Sequence, residues 1–333
     1  MNRKILLVAL LSLFLLTGTL NALVIKIGSI APDRSPWDKA IKKLGREWGK
    51  ISEGKIKFKI YAGGIVGNEK DMIRKMRLGK LGGAALTNMG IIHIFPETFV
   101  LNTPLLLTSE KELDYIFEKM KPFFEKGIEE KGFKVVIWTL TGWINFFSKS
   151  PVLLPEDLKK HKISFTTGAP DLEQAWKKAG FHIVPNDLKD LTMGLESGMV
   201  NAFYLPPLMA ASGQYFAQAP NMLTLKVSPL LGGIVLSKAA WKKIPNQYKK
   251  KMMDAAAKVA KDLYREILKL EEDALTEMKK HKLVINDIPP GGLETWRTAV
   301  NKGMDVLIGK AFSKEVYDQI MKHLAEYREV HEN

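Results

Sequence analysis

A long helical pattern in the C-terminal part of the sequence constrains the fold more than any other feature. It begins at Pro245, a residue suited to the first turn of a helix, and continues to about Lys280. Apolar residues recur along it at helical spacing and form one stripe, namely Met252, Ala256, Val259, Leu263, Ile267, Leu270, Ala274 and Met278. At 1.5 Å per residue such a helix is roughly 50 Å long, which exceeds the width of one small domain. The pattern therefore predicts a helix that spans two domains.

The preceding part of the chain alternates between strand and helix patterns. Strands are predicted at 24–29, 55–61 and 82–86, with helices at 36–51 and 69–78 between them. This order predicts an α/β protein with largely parallel sheets and helices on both faces. Further strands are predicted at 134–140, 144–148, 162–165, 202–204 and 233–236. With 333 residues the chain is long enough for two domains, each with its own core.

The first 22 residues have the layout of a secretory signal peptide. Arg3 and Lys4 precede the apolar run 5–16, and small and polar residues lead to Ala22, after which we expect cleavage. The apolar run is shorter than the about 20 residues of a transmembrane helix, and an uncleaved N-terminal anchor is the alternative. We therefore predict an exported, periplasmic protein. Because the chain has no cysteine, disulfides, thiolate metal sites and a lipidated N-terminal cysteine are excluded.

The formal net charge of +14 indicates a nucleic acid, an anionic membrane surface or an acidic partner as classes to consider. Export argues against nucleic acid. The lysine pairs are scattered along the sequence, for example Lys42-Lys43, Lys177-Lys178 and Lys279-Lys280, and most lie on helical patterns opposite apolar positions. We interpret them as the solvated faces of helices.

Sequence signatures of catalysis are missing from the chain. It contains no phosphate-binding Gly-x-x-x-x-Gly-Lys-Ser/Thr loop, no Gly-x-Gly-x-x-Gly turn, no Gly-x-Ser-x-Gly elbow and no His-Glu-x-x-His pair. The six histidines are far apart in sequence, and no two are spaced by four residues. We therefore predict no catalytic residues, no bound metal and no cofactor.

Several short motifs follow one another in a fixed order and spacing from about residue 24 to about 300. They are Ile27-Gly28-Ser29-Ile30-Ala31-Pro32 with Ser35-Pro36-Trp37, Ser52-Glu53-Gly54-Lys55-Ile56 with 61–67, Leu78-Gly79-Lys80-Leu81-Gly82, Phe95-Pro96-Glu97 with Leu101-Asn102-Thr103-Pro104, and Pro155-Glu156-Asp157-Leu158-Lys159. Single motifs are weak, whereas their succession over most of the chain is specific. Together they resemble the solute-binding proteins of tripartite ATP-independent periplasmic (TRAP) transporters.

The resemblance implies a type II periplasmic-binding-protein fold, in which two α/β domains are hinged around a ligand cleft and a long helix spans both. We predict a first domain of 23–146 plus 231–262 and a second of 147–230 plus 263–333. The resemblance also implies delivery of the solute to membrane permease subunits. Binding without chemistry agrees with the missing catalytic signatures.

Two departures from the family pattern concern the ligand. Ser164 stands where the family places an arginine that grips the ligand's carboxylate through a two-pronged bond. Tyr204 and Leu205 stand at positions that are usually acidic and amide. No arginine occurs between Arg77 and Arg265. These departures predict a hydrophobic or amphipathic ligand, because a buried carboxylate without a cationic partner costs several kcal/mol.

Twelve residues are predicted to contact the ligand. Thr87 and Asn88 follow a strand, where ligands bind in α/β sheets, and the resemblance places Ser164 and Tyr204. The full set is Trp37, Thr87, Asn88, Trp143, Asn145, Phe147, Ser164, Thr166, Tyr204, Leu205, Pro207 and Leu231.

Alternatives stay open at this point. The same fold could take an organic acid held by another cation, for instance Arg34 or Lys162. A structural or adhesive envelope protein with an empty cleft is a second alternative, and a hydrolase is supported by no motif. The departures at Ser164 and Tyr204 also resemble a subclass that works with a periplasmic partner built of tetratricopeptide repeats, which we state as a hypothesis.

Overall fold

The computed structural model describes residues 22–165 and 168–331. The predicted signal peptide, apart from Ala22, and the predicted site residue Thr166 lie outside these ranges. In the described ranges the chain forms eleven strands: β1 (Leu23–Ser29), β2 (Ile56–Tyr61), β3 (Gly83–Thr87), β4 (Phe133–Trp143), β5 (Asn145–Ser148), β6 (Lys162–Phe165), β7 (His182–Pro185), β8 (Ala202–Leu205), β9 (Asn221–Leu223), β10 (Pro229–Ser237) and β11 (Val284–Asn286).

Helices cover the faces of the strands and connect them. They are α1 (Pro36–Ile51), α2 (Glu69–Arg77), α3 (Asn88–Ile91), α4 (Glu110–Glu130), α5 (Pro155–Leu158), α6 (Pro170–Lys178), α7 (Leu191–Glu196), α8 (Pro207–Ser212), α9 (Lys238–Lys242), α10 (Asn246–Lys280), α11 (Gly292–Asn301) and α12 (Lys314–His331). Short 3₁₀ helices lie at Pro96–Asn102, Leu188–Asp190, Tyr215–Ala217 and Met304–Val306. None of the described helices is both long and apolar enough to cross a membrane.

Local signals explain where the first helices begin. The Ser35 hydroxyl accepts a hydrogen bond from the Asp38 amide at the start of α1, where Pro36 occupies the first turn. Asn68 caps α2 in the same way through the Asp71 amide. Because capping satisfies amides that the helix leaves unpaired, α1 begins at the predicted residue and α2 one residue after its cap.

The strands form two sheets. The order is β2-β1-β3-β10-β4 in the first sheet and β11-β9-β5-β8-β6-β7 in the second. Two α/β sheets connected by a long helix confirm the predicted fold class. The expectation of largely parallel sheets needs correction, since β10 is antiparallel to β3 and β4, and β5 is antiparallel to β8 and β9. Each of these reversed strands is reached by the chain directly from a strand of the other sheet. Hydrophobic periodicity carries no information on strand direction.

Two segments cross between the sheets and bind each other. Ile144 alone separates β4 from β5, and residues 224–228 connect β9 to β10. The Ile144 amide donates to the Ser228 carbonyl at 3.0 Å, and the Val227 amide donates to the Ile144 carbonyl at 2.8 Å. The domain division stays a prediction, and these crossings lead us to propose its boundaries at 144 and 228 instead of 146 and 230.

The helix α10 packs against the cores of both sheets. The buried residues of its first part, from Tyr248 to Ile267, belong to the apolar cluster between the first sheet and α1. Met278, which lies further along the same apolar stripe, packs in the cluster of the second sheet with Phe147 and Phe203. Of the predicted stripe, all residues except Leu270 are buried. The helix therefore links the two cores without interruption.

Candidate ligand-binding cleft

One cavity of about 560 Å³ lies between the two sheets and is lined by residues of both. Thr87 at the end of β3, Phe165 at the end of β6 and Leu205 at the end of β8 contribute to its walls. The crossing segments add Ile144 and Val227. The carboxyl ends of strands are where ligands bind in open α/β sheets, and the volume suits a small organic molecule.

Most of the lining is apolar. The cavity contains few polar groups, and several of these are occupied by protein partners. Asn102 donates its side-chain amide to the Pro229 carbonyl at 2.8 Å. The apolar lining residues are Ile30, Met89, Phe99, Pro104, Ile144, Phe165, Ala169, Leu172, Trp176, Leu188, Leu205, Pro206, Met209, Val227 and Leu230.

A carboxylate, Glu69, lies in the wall contributed by the first sheet. Its Oε1 accepts from the Thr87 amide at 2.5 Å, and its Oε2 accepts from the Thr87 hydroxyl at 2.9 Å. Burial raises the pKa of Glu69, although the two bonds from Thr87 oppose that shift. A Cβ on Gly90 would come within 2.7 Å of Oε1, so only glycine fits there. Glu69 thus holds the end of β3 in place.

Two groups that can carry positive charge, Lys70 and His93, line the same cavity. Lys70 follows Glu69 in the first turn of α2, and both Lys70 and His93 are exposed. Burial lowers the pKa of His93, and the positive charge of Lys70 lowers it further. Both effects favour the neutral imidazole of His93, while Lys70 supplies a cation beside it.

An aromatic wall surrounds Tyr204 on the second sheet. The Tyr204 ring lies 5.2 Å from Phe165 and 6.0 Å from Phe146, between ring centroids. Phe146 in turn contacts Trp176, another lining residue, at 5.7 Å. Burial raises the pKa of the Tyr204 phenol, so its hydroxyl keeps its proton and can donate a hydrogen bond at neutral pH.

Charged side chains gather beside the crossing segments. Lys226 pairs with Glu110 at 2.6 Å and lies 5.3 Å from the centre of the Trp143 ring. Glu271 of α10 lies next to Gly142, since a Cβ on Gly142 would come within 3.1 Å of its Oε1. Burial raises the pKa of Glu271 to about 7, with Lys226 opposing and Glu110 reinforcing the shift. Within the described residues, Oε1 is buried without a hydrogen-bond partner.

The model of one protein family, described as bacterial extracellular solute-binding protein, family 7 (DctP), matches residues 27–310. The chain belongs to this family. The predicted resemblance to TRAP-type solute-binding proteins is thereby confirmed, and the function is solute binding for transport.

Named relatives of this family 7 protein are distant. The 2,3-diketo-L-gulonate-binding periplasmic protein of Escherichia coli is 25% identical over 248 residues, which are 72% of this chain and 74% of the relative. The extracellular family agrees with the predicted export, while the signal peptide itself stays a prediction.

Solved structures show the same fold. A TRAP periplasmic solute-binding protein from Xanthobacter autotrophicus with bound β-D-galacturonate superposes with a TM-score of 0.77 at 18% identity, covering 90% of this chain and 99% of that one. One from Ochrobactrum anthropi, with its C-terminus bound in the ligand-binding pocket, gives 0.84 at 19% identity, covering 94% and 98%.

Eleven of the twelve predicted contact residues of this family 7 protein are described, and the structure brings four of them to the cavity: Thr87, Asn88, Tyr204 and Leu205. All four lie at the end of a strand or directly beside it. Contact of each with a ligand stays a prediction.

Ser164 and Asn145 occupy other surroundings. Ser164 is 7% exposed, and its hydroxyl accepts from the Asn186 side-chain amide at 3.1 Å. It is outside the described lining because side chains alternate along β6, and the next residue, Phe165, takes the cavity side. Asn145 donates to the carbonyls of Leu223 and Leu225, both at 3.0 Å. A polar residue is therefore needed in this apolar run, because its side chain connects β5 to the second crossing segment.

Packing explains the remaining five predicted residues, which are absent from the described lining of the cavity. Phe147 is completely buried and stacks on Phe203 at 4.9 Å. Trp143 and Leu231 belong to the largest apolar cluster, and Trp37 packs at the edge of the cluster around α1. Pro207 is buried at the start of α8, whereas its neighbour Pro206 lines the cavity. Large aromatic residues on buried strands serve the core here.

The cations proposed from sequence do not reach the described lining either. The Arg34 side chain is 90% exposed beside Asp33. Lys162 is exposed at the N-terminal end of β6, whereas the cavity lies at the carboxyl end of this strand. Sequence reasoning missed Glu69, Lys70 and His93. A signal for the first two was present, because Asn68 caps a helix directly after a glycine-rich turn and so places the next residues at the sheet's carboxyl edge. For His93 no local signal exists.

Proposed function

We propose that this chain captures a small organic acid with an apolar body in the cavity between its sheets and delivers it to the membrane permease subunits of a TRAP-type transporter. The relatives support the acid group, since one is named for 2,3-diketo-L-gulonate and a structural neighbour holds β-D-galacturonate. They favour the organic-acid alternative over the hydrophobic or amphipathic ligand expected from Ser164, Tyr204 and Leu205. The apolar lining supports a body with fewer hydroxyls than a sugar acid carries.

The single observation that carries the proposal is the pair Lys70 and His93 in a cavity whose lining is mostly apolar. A carboxylate between them would gain a charge-assisted bond from Lys70 and a hydrogen bond from His93. Its negative charge would also raise the pKa of His93, against the burial and the Lys70 charge that lower it in the free protein. Binding would then take up a proton, so we expect affinity to rise as the pH falls from 8 to 6.

The rest of the cavity would hold the body of the ligand. Leu172, Trp176 and Met209 offer apolar contacts from the second sheet. A hydroxyl-rich ligand would have to compete for polar groups already in use, because the Thr87 hydroxyl donates to Glu69 and the Asn102 amide to Pro229. The Tyr204 hydroxyl, which has no hydrogen-bond partner among the described residues, would be left to orient a ligand oxygen.

Calorimetric titration with matched ligands tests this function. We expect hexanoate or phenylacetate to bind more tightly than galacturonate and more tightly than their own neutral amides. Lys70→Gln should weaken binding of the acids about tenfold or more and leave the amides unchanged. His93→Gln should remove the gain in affinity at pH 6, and Lys162→Gln, outside the cavity, should behave as the native protein.

Other results of the titrations would support other functions. Equal binding of acid and amide, with no effect of Lys70→Gln, would restore the hydrophobic ligand. Binding of galacturonate alone would indicate an ordinary sugar-acid carrier. Failure of all of them would favour an envelope protein without a solute. The tetratricopeptide-repeat partner stays a hypothesis, which gel filtration of the mixed proteins can test separately.

A further inference from the structure

The positive charge of this protein is concentrated in two segments that are far apart in sequence. Residues 36–61 and 238–261 together carry a formal charge of +12, against +14 for the whole chain. The first segment contains α1 and β2, and the second contains α9 and the first half of α10. The net positive charge is therefore distributed unevenly along the chain, although lysine pairs occur throughout the sequence.

The fold brings these segments together. The Trp48 indole of α1 donates to the Met252 carbonyl of α10 at 3.0 Å, and Lys43 pairs with Asp262 at 2.7 Å. Trp48 also contacts Trp241 of α9, with 6.1 Å between ring centroids. The helices α1 and α10 thus lie side by side over the first sheet, with their apolar stripes packed in one cluster.

The faces turned away from that cluster form one cationic surface, which we call the basic platform. On each helix its cations are spaced so that they lie opposite the buried stripe. All are exposed except Lys43, which is half-buried. The basic platform consists of Lys39, Lys43, Arg46 and Lys50 of α1 and Lys251, Lys258, Lys261 and Arg265 of α10.

Nearby carboxylates neutralise only part of this surface. Glu47 pairs with Lys50 at 2.9 Å, and Asp262 pairs with both Lys43 and Arg265. Asp254 pairs with Lys250, which borders the platform. Within the described ranges, the five remaining cations have no carboxylate oxygen within 4.0 Å; they are Lys39, Arg46, Lys251, Lys258 and Lys261.

The chemistry of the platform fits a lipid surface better than a protein. Protein interfaces are depleted in lysine and enriched in aromatic residues, whereas the platform is mainly lysine. No large hydrophobic side chain is exposed in the described residues 36–61 and 246–265. Flexible lysines without an apolar anchor suit headgroup phosphates, to which they are attracted within about 10 Å at 0.1 M salt.

We propose that the basic platform holds this protein against an anionic lipid bilayer. The attachment is peripheral, electrostatic and reversible by salt. It would keep an exported protein without a lipidated cysteine near the membrane that contains its permease. The proposal does not depend on the identity of the solute.

Vesicle co-sedimentation tests the proposal. We expect the native protein to bind vesicles of 70% phosphatidylcholine and 30% phosphatidylglycerol at 50 mM NaCl, to release them at 300 mM, and to ignore pure phosphatidylcholine. A Lys251→Gln, Lys258→Gln, Lys261→Gln variant should lose about tenfold or more in affinity. The matched control, Lys126→Gln, Lys189→Gln, Lys310→Gln, removes three exposed lysines that lie outside the platform and have no ion pair among the described residues, and it should lose less than twofold.

Three results would overturn the proposal. Equal losses in both triple variants would show that net charge alone matters. No binding to phosphatidylglycerol vesicles at 50 mM NaCl would exclude the bilayer. Absent vesicle binding together with salt-sensitive binding to polyglutamate would assign the platform to an acidic protein. Circular dichroism of both variants checks that their folds are unchanged.

Discussion

At the scale of single residues, two buried carboxylates are held in different ways. Glu69 has both oxygens bonded to Thr87, so its burial is compensated. Glu271 leaves Oε1 without a hydrogen-bond partner in the described structure, and the charges of Lys226 and Glu110 act on it in opposite directions. An uncompensated buried carboxylate costs stability when it ionises.

Replacing Glu271 should therefore change how stability depends on pH. The folded pKa of about 7 lies above the ordinary 4.5, so the unfolded chain loses its proton first, and stability falls as pH rises from 4.5 through 7. We expect Glu271→Gln to remove this fall and to be more stable than the native protein at pH 8 by about 2 kcal/mol. Urea unfolding at pH 5, 6, 7 and 8 measures it.

The neighbouring Glu272, which is exposed, provides the control. Glu272→Gln should keep the native pH dependence, because its side chain is in water. A Glu271→Gln variant with the same slope as the native protein would show that burial does not raise the pKa of this residue.

At the residue scale, only part of the cavity was predictable. Thr87 and Asn88 follow from their position at the end of a strand, and Tyr204 and Leu205 follow from the resemblance to the family. Ser164 shows the limit, because one residue along a strand decides which face a side chain takes, and Phe165 takes the cavity. His93 reaches the cavity through the short helix α3 and the turn after it, whose path no residue pattern indicates.

At the scale of elements, α1 and α10 depend on close contact at small residues. Ala256 of α10 is completely buried in the cluster that includes Leu44 and Trp48. Ala257, the next residue, is exposed on the opposite face. A larger side chain has no room at position 256 and ample room at position 257.

We therefore expect Ala256→Leu to destabilise the protein by about 1–3 kcal/mol through overpacking. Ala257→Leu should change stability by less than about 0.5 kcal/mol, because the added methyl groups stay in water. Thermal unfolding of the two variants under the same conditions makes the comparison. Equal effects would mean that α1 and α10 do not pack as described.

Element bounds were predictable where local signals agree. The helix α1 begins and ends at the predicted residues, and α10 begins one residue after Pro245, because capping and the apolar stripe depend on nearby positions alone. Strand direction was not predictable, because the directions of β10 and β5 are set by pairing with strands far along the chain.

At the scale of the whole molecule, the uneven charge makes stability sensitive to salt. Like charges on α1 and α10 repel one another across the platform, and salt screens this repulsion. Each exposed ion pair contributes little, so we expect the loss of repulsion to outweigh the weakening of these pairs. We expect the stability to rise by about 1 kcal/mol as NaCl increases from 20 to 300 mM.

The midpoint of urea unfolding at pH 7 in both salt concentrations measures this effect. The Lys251→Gln, Lys258→Gln, Lys261→Gln variant should gain less from salt, since part of the repulsion is already removed. A midpoint that falls with salt would show that the exposed ion pairs outweigh the repulsion.

The sequence by itself determined the class of fold, the long helix and the family, because periodicity, capping residues and ordered motifs are local properties of the chain. Only the tertiary structure decided which side chains line the cavity, which strand reverses in each sheet and that two basic segments form one surface. These features arise from packing between residues up to about 200 positions apart, as Trp48 and Met252 are. No local pattern records such contacts, because burial and neighbouring charge exist only once the sheets and helices have come together.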